Sequence, residues 1–365
     1  MAPSQKIIPY SASSFKFQKE RFKKKLIQIG IDISDTDATK ITFLSRRKYD
    51  RYELLPPGET FYIRLLQWLT LNFKRYERET AFSIVKALKF IDDYELKELS
   101  ICSFENIKKQ ILLEIGEITA SNWYSYINIR NNILESELSK TIFVACADDI
   151  KFDFFRRHAM YAHPKPFKKD NFIEYYKINK SSLKELPEYN RIILVDQLSG
   201  SGTTTIRKEI DEKTNDEFWT GKIPRFFKIW NGFIKNKKIY YSPYIISYVS
   251  KKNISERIPQ WIEDEVIEND VKCISTCNIP ISPCISNKTN TDIDETIPVA
   301  KLCKKYYKYF KEDEHTKKVG GIPYGYGRAG LTLILQSNCP NSTPPILWHS
   351  YENWYPLFPR VIHHR

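Results

Sequence analysis

Near the middle of the chain, residues 193–207 read Ile-Leu-Val-Asp-Gln-Leu-Ser-Gly-Ser-Gly-Thr-Thr-Thr-Ile-Arg. An apolar run ends in an acid, Asp196, and gives way to Ser199, Gly200, Ser201, Gly202, Thr203, Thr204 and Thr205. These residue types, in this order, suit the binding of a phosphate. Glycines let the backbone approach the anion and hydroxyls add donors. The amides of a helix start converge on it with the helix dipole behind them. A carboxylate at the strand tip suits sugar hydroxyls or a developing positive charge. A plain strand-to-helix turn with good capping residues is the alternative reading.

Such a loop needs a strand leading in and a helix leading out, and the sequence predicts that helix over 204–213. Continuous apolar runs lie at 141–147 and 191–196. Others lie at 239–249, where Pro243 spoils the first half, more weakly at 273–279, and at 331–337. Helical patterns separate them, as at 254–269. Strands spaced by helices imply an α/β domain with a mainly parallel sheet flanked by helices. Ligands bind such sheets at the carboxyl ends of the strands, which is where Asp196 falls.

Before about residue 140 no clear strand pattern is present. Leu65, Trp68, Leu69 and Leu71 form one helical stripe, and Ala81, Ile84, Val85, Leu88 and Ile91 form another. Ser103 is placed to cap a helix over 106–115. The expected organisation is a helical N-terminal region (1–125) followed by an α/β domain (126–365) whose tail occupies about 338–365. A length of 365 residues suits two domains.

The net charge is +13 and the pI about 9.2. A basic excess favours anionic partners, although a Lys-, Ile- and Asn-rich composition produces the same excess. Basic residues mix with aromatics at 22–26 and 304–311, a pattern suited to single-stranded nucleic acid. In the second run, Leu302, Tyr306, Tyr309 and Phe310 fall at helical spacing, which favours a core stripe with lysines outside. The seven cysteines are odd in number, and Cys273, Cys277 and Cys284 have no second pair at zinc spacing. No metal held directly by the chain is expected. The first twenty residues lack an apolar run fit for a signal peptide, and the stretch 61–73 is too short and polar to span a bilayer. The expectation is a cytoplasmic protein without a membrane partner.

A P-loop needs a lysine beside its glycines, and the nearest following one is Lys208. The Asp-x-x-x-Gly-Ser-Gly-Thr-Thr string resembles the cofactor motif of S-adenosylmethionine-dependent DNA adenine and cytosine-N4 methyltransferases. Gln197 stands where those enzymes usually have proline. Neither Pro56-Pro57 nor Pro344-Pro345 has the frame of their catalytic motif. A methyltransferase stays as an alternative.

The string fits another family better. An apolar strand, an acid and then a Ser-Gly-Thr-Thr loop resembles the signature of type I phosphoribosyltransferases. More specifically, the chain resembles the PRTase-CE family, the phosphoribosyltransferase-like proteins of bacterial conflict systems. Its tail, Pro-Asn-Ser-Thr-Pro-Pro-Ile-Leu-Trp to Trp-Tyr-Pro-Leu-Phe-Pro-Arg at 340–360, is the more specific part of that match.

The resemblance implies a type I phosphoribosyltransferase-like fold that binds phosphoribosyl pyrophosphate with Mg2+, or a related nucleotide-like small molecule. By position, Asp196 is the first ribose acid and Gln197 stands at the second. Ser199, Gly200, Ser201, Gly202, Thr203 and Thr204 would cradle the 5-phosphate. A pyrophosphate loop is expected after the strand at 141–147, at Ala147, Asp148 and Asp149. A hood is expected from Tyr326, Arg328 and Arg360, with Asn338, Asn341, Thr343, Trp348 and Trp354 near it. Trp354 and Phe358 are expected to be packing residues. Loss of one charge at Gln197 leaves open a non-catalytic nucleotide sensor. Some members resemble effectors of anti-phage defence encoded beside retron reverse transcriptases, which implies a reverse transcriptase with its RNA–DNA product as a partner.

Overall fold

Four of the five apolar runs come together as one parallel sheet. The computed structural model describes residues 12–119, 127–146, 151–163, 167, 169–174, 189–211, 213–265, 267–310, 322–350 and 354–361. Two compact units emerge: residues 93–281 with 327–329, and residues 1–92, 282–326 and 330–365.

The first unit holds the sheet. Its strands are β2 (Thr141–Ala145), β3 (Phe172–Glu174), β4 (Arg191–Ser199), β7 (Lys238–Ser247), β8 (Val271–Cys273) and β9 (Cys277–Ile279). The order is β3-β2-β4-β7-β8, with β9 also on β7, and every pairing is parallel. The fold is therefore α/β with a mainly parallel central sheet. Helices cover both faces, which is why β2 and β4 read as unbroken apolar runs. On one face Ile192, Leu194 and Tyr241 pack with Phe226 and Trp230 of α8 (Lys222–Trp230) and with Ile258 and Trp261 of α9 (Tyr248–Asp264). On the other, Phe143 and Tyr244 meet Phe104 of α5 (Asp93–Thr119) and Phe155 of α7 (Phe152–Ala162). Helix α6 (Ile127–Ser139) leads into β2.

Several local expectations are corrected. Pro243 does not interrupt β7. It falls between the stretch of β7 that pairs with β8 and the stretch that pairs with β9, where a missing N–H costs the ladder least. Ser103 caps nothing. It lies inside the long helix α5, fully buried, with its hydroxyl 3.1 Å from that of Ser242.

The helix expected over 204–213 is also absent. Residues 207–220 form an antiparallel hairpin of β5 (Arg207–Ile210) and β6 (Glu217–Thr220), and the helix proper begins at Lys222. The Ile206 amide donates to Gly202 O at 3.0 Å, Lys222 to Thr204 O at 2.9 Å and Ile223 to Thr205 O at 3.0 Å. With 207–220 left out, these are the i to i−4 bonds of a single helix. The hairpin is extruded through the first turn of α8.

The second unit contains α1 (Ala12–Gln28), α2 (Asp35–Arg47), α3 (Phe61–Asn72), α4 (Arg78–Lys86), β1 (Lys89–Ile91), α10 (Pro298–Tyr307) and β10 (Leu333–Leu335). Strand β1 breaks the expectation of no strand before residue 140; three residues are too few to show a period. It pairs in parallel with β10, so the last predicted strand lies outside the main sheet. Leu65, Trp68 and Leu69 are fully buried, whereas Leu71 is exposed. Leu302, Tyr306 and Phe310 are buried while Tyr309 is exposed, and Lys305 pairs with Glu77. Phe358 packs on Tyr49, Tyr52 and Phe61, and Trp354 on Phe73, Tyr306 and Phe310. Among the described residues, no helix is long and apolar enough to cross a membrane. All seven cysteines are free thiols.

Candidate functional site

Strand β4 runs between β2 and β7; it continues to Ser199, so Asp196 and Gln197 lie inside its last four residues and not at its tip as expected. The register sets Val195 beside Ala145, the last residue of β2, so Asp196 is the first residue of β4 past the end of β2, while β4 and β7 run on together to Ser199 and Ser247. Polar residues just beyond those ends therefore meet.

Asp196 is 2 % exposed, and both its oxygens are used. Oδ1 accepts the Gln197 amide at 2.9 Å. Oδ2 accepts the Lys222 ammonium at 2.5 Å and the Tyr241 hydroxyl at 2.7 Å. Burial and the Asp196 charge push the Tyr241 phenol well above its usual pKa, so it remains a donor. Burial, then the Asp196 charge, also pushes up the thiol of Cys146, the residue after β2, which leaves it a poor nucleophile.

The loop after β4 is held from below by hydroxyls. Ser199 Oγ lies 3.0 Å from Thr205 Oγ1 and 2.6 Å from Ser250 Oγ, and Thr205 Oγ1 lies 3.2 Å from the Tyr241 hydroxyl. The Ser247 hydroxyl, which caps α9, donates to Gly200 O, and Asn253 Nδ2 donates to Ser201 O at 2.8 Å. Ser201 and Thr203 hydroxyls bond each other. Gly202 has φ +77°, and a Cβ there would lie 3.1 Å from Ser250 O. Gly327, at φ +61°, rests on the loop so closely that a Cβ would come within 2.5 Å of Ser201 Cβ. Both positions demand glycine. The outcome is a rigid, glycine-lined turn with hydroxyls at its rim and one helical turn beneath it. That turn, which continues into α8 through the Lys222 and Ile223 amides, supplies the dipole expected there.

The structure thus brings Asp196, Ser199, Gly200, Ser201, Gly202, Thr203 and Thr204 together at one strand end. Gln197 adjoins them, but its Oε1 is buried with no hydrogen-bond partner among the described residues. Ala147, Asp148 and Asp149 lie outside the described residues. Arg328 is exposed, in the 327–329 segment that belongs to the sheet unit. Tyr326 and Arg360 belong to the other unit. Tyr326 is buried, with its amide on Asn341 O at 2.8 Å. Arg360 donates to Cys339 O at 2.6 Å and lies over the Trp348 ring, which ties the tail to its own unit.

Sequence reading missed Lys222, Tyr241, Ser247, Ser250 and Asn253. Ser247 to Ser250 carried a usable signal, since a capping Ser-x-x-Ser closes an apolar run parallel to β4. Lys222 carried none, because the hairpin separates it from the loop. Lys208, the first lysine after the loop, pairs with Glu217 and Asp264 instead.

No curated protein and no solved structure matches the chain. A family model does match, over residues 65–360, which takes in the sheet, the loop after Asp196 and the tail. With a glycine and hydroxyl loop at the carboxyl end of a central parallel strand, this chain belongs to the phosphoribosyltransferase-like family PRTase-CE.

Proposed function

We propose that this chain is a phosphoribosyltransferase-like effector of bacterial anti-phage defence that binds phosphoribosyl pyrophosphate, or a related nucleotide, at the loop after β4. One observation carries the reading: a glycine and hydroxyl loop, closed from below by Ser247 and Ser250, sits beside an acid at the carboxyl end of the central strand. Strand ends of this kind are where open α/β sheets bind ligands. The family match leaves the DNA methyltransferase reading without support.

Each group of the chain then has a task. The loop at 200–204 would take the 5-phosphate on backbone amides and hydroxyls. Asp196 would take a ribose hydroxyl, which requires it to release Lys222 or Tyr241. Among the described residues no three carboxylate, thiol or imidazole groups converge on a metal site. Magnesium, when bound with the pyrophosphate, would supply charge neutralisation. Catalysis would rest on positioning and electrostatics. The basic helix α1, with Lys16, Lys24 and Lys25 exposed, suits a nucleic-acid partner. The family resemblance alone supports naming that partner as a reverse transcriptase with its RNA–DNA product.

Titration calorimetry of the full chain with phosphoribosyl pyrophosphate and MgCl2 tests the binding, and pyrophosphate release tests the transfer. Saturable binding in the wild type that is lost in Gly202→Val supports the site. Its absence in the wild type overturns the proposal. The Lys222–Asp196 pair favours a second reading, a nucleotide sensor, because the acid is already neutralised and its neighbour is uncharged. Binding without pyrophosphate release distinguishes it.

A further inference from the structure

Three helices of the second compact unit close on a cavity of about 370 Å³. Its walls are α1, α2 and the first turn of α3. The volume falls at the small end of ligand pockets. Thr42, 7 % exposed, lines it, and its Oγ1 has no hydrogen-bond partner among the described residues. The hydroxyl of Tyr62, also in the lining, has none either. A buried hydroxyl left unpaired is a standing cost that valine or phenylalanine of the same shape would avoid. Two such hydroxyls on one cavity point to a ligand.

The charge of the lining says which kind. Arg21 and Arg46 both contribute to it. Asp50 is the single acid among the lining residues, and it is close enough to Arg46 to feel that charge, which still leaves the lining net positive. It accepts the Phe61 amide at 2.7 Å and the Ser45 hydroxyl. Two guanidinium groups and two hydroxyl donors match the oxygens of a phosphate, and the amino end of α3 adds positive potential. Phe22, buried and edge-on to Tyr62 at 5.1 Å between ring centroids, supplies a flat apolar wall.

We propose that this cavity binds a nucleoside monophosphate, with the phosphate on Arg21, Arg46, Thr42 and Tyr62 and the base on the aromatic wall. The proposal is independent of the loop after β4, whose residues belong to the other unit.

Titration calorimetry with AMP, using adenosine and inorganic phosphate as separate probes, tests it on the full chain. Saturable AMP binding is expected, with each fragment binding more weakly. Thr42→Val, Tyr62→Phe and Arg46→Met should each weaken AMP by about tenfold or more. Saturating phosphoribosyl pyrophosphate, which would occupy the loop after β4, should leave AMP binding at this cavity unchanged. Thr42→Val and Tyr62→Phe remove atoms without partners, so their melting temperatures without AMP should equal or exceed the wild type. The proposal is overturned if AMP does not saturate by millimolar concentration or if binding ignores Thr42→Val and Tyr62→Phe. Loss of AMP binding under saturating phosphoribosyl pyrophosphate, or lower melting of the two hydroxyl variants without ligand, overturns it equally.

Discussion

The ammonium of Lys222 lies 2.5 Å from Oδ2 of Asp196, on a carboxylate that is 2 % exposed. The acid that the family pattern offers to a ribose is thus neutralised by a lysine of the same chain. The two are far apart in sequence, and the extruded hairpin is the reason. Removing either partner leaves a charge without its counterpart, at a cost of about 3 kcal/mol. Asp196→Asn and Lys222→Met should each destabilise by about that much, while the double variant costs less than the sum. Urea unfolding of all four proteins measures the coupling, and additive losses would mean that the pair contributes nothing.

Gly202 and Gly327 hold the loop surface by lacking a side chain. At φ +77° an alanine at 202 costs about 1–2 kcal/mol in backbone strain, before its contact with Ser250 O. Gly327→Ala must displace Ser201. Both variants should keep the native far-UV circular dichroism and lose about tenfold or more in affinity for phosphoribosyl pyrophosphate. Unchanged affinity in Gly327→Ala would detach the 327–329 segment from the site.

Gln197 is buried and its Oε1 is unpartnered. Gln197→Glu places a carboxylate where no donor waits for it, costing about 3 kcal/mol at pH 8. The cost should shrink at pH 5, because the buried acid takes up a proton more readily than it does in the unfolded chain. If position 197 does take part in transfer, the same change raises pyrophosphate release. Equal stability loss at both pH values would show that the new acid has found a partner.

At the far end of the sheet, Glu114 gathers Tyr240, Lys238 at 3.0 Å, Gln110 at 3.2 Å and Arg191 at 3.2 Å. Burial alone would raise its pKa. Hydrogen bonds from Tyr240, Lys238 and Gln110, with the Arg191 charge, outweigh burial and hold it at about 2. A depressed folded pKa stabilises above the unfolded value, near 4.5, and that stability is lost as pH falls from there towards 2. Glu114→Gln should cost about 3 kcal/mol at pH 7 and clearly less at pH 3. Denaturant unfolding at the two pH values decides it, and a gap of equal size would contradict the assignment.

Deleting 207–220, so that Ile206 joins Gly221, should leave a folded protein. The bonds from Lys222 to Thr204 and from Ile223 to Thr205 already span the gap, and a Cβ on Gly221 would lie 3.0 Å from the Ile206 Cα. The variant gives up surface pairs such as Lys208–Glu217 but also the half-buried Trp219, which packs against the core, so a loss of about 3 kcal/mol is expected. A molten far-UV and near-UV spectrum would show instead that the hairpin is part of the folding unit.

The loop after Asp196, its place at a strand end and the α/β class were all legible in the sequence. Each depends on contiguous residues: an apolar run for a doubly covered strand, and glycines and hydroxyls for a tight polar turn. What the acid faces was not legible. Tyr241, Ser247 and Ser250 reach the site because β7 lies parallel to β4, and parallel neighbours are joined by long crossovers that no local period encodes. Lys222 reaches it because a hairpin opens within a helical turn while the backbone bonds continue across the break. The short strands β1, β5 and β6 stayed hidden for a simpler reason, since three or four residues carry too little alternation to stand out. The local sequence determined the glycine and hydroxyl loop, and tertiary packing decided that the acid beside it is already paired.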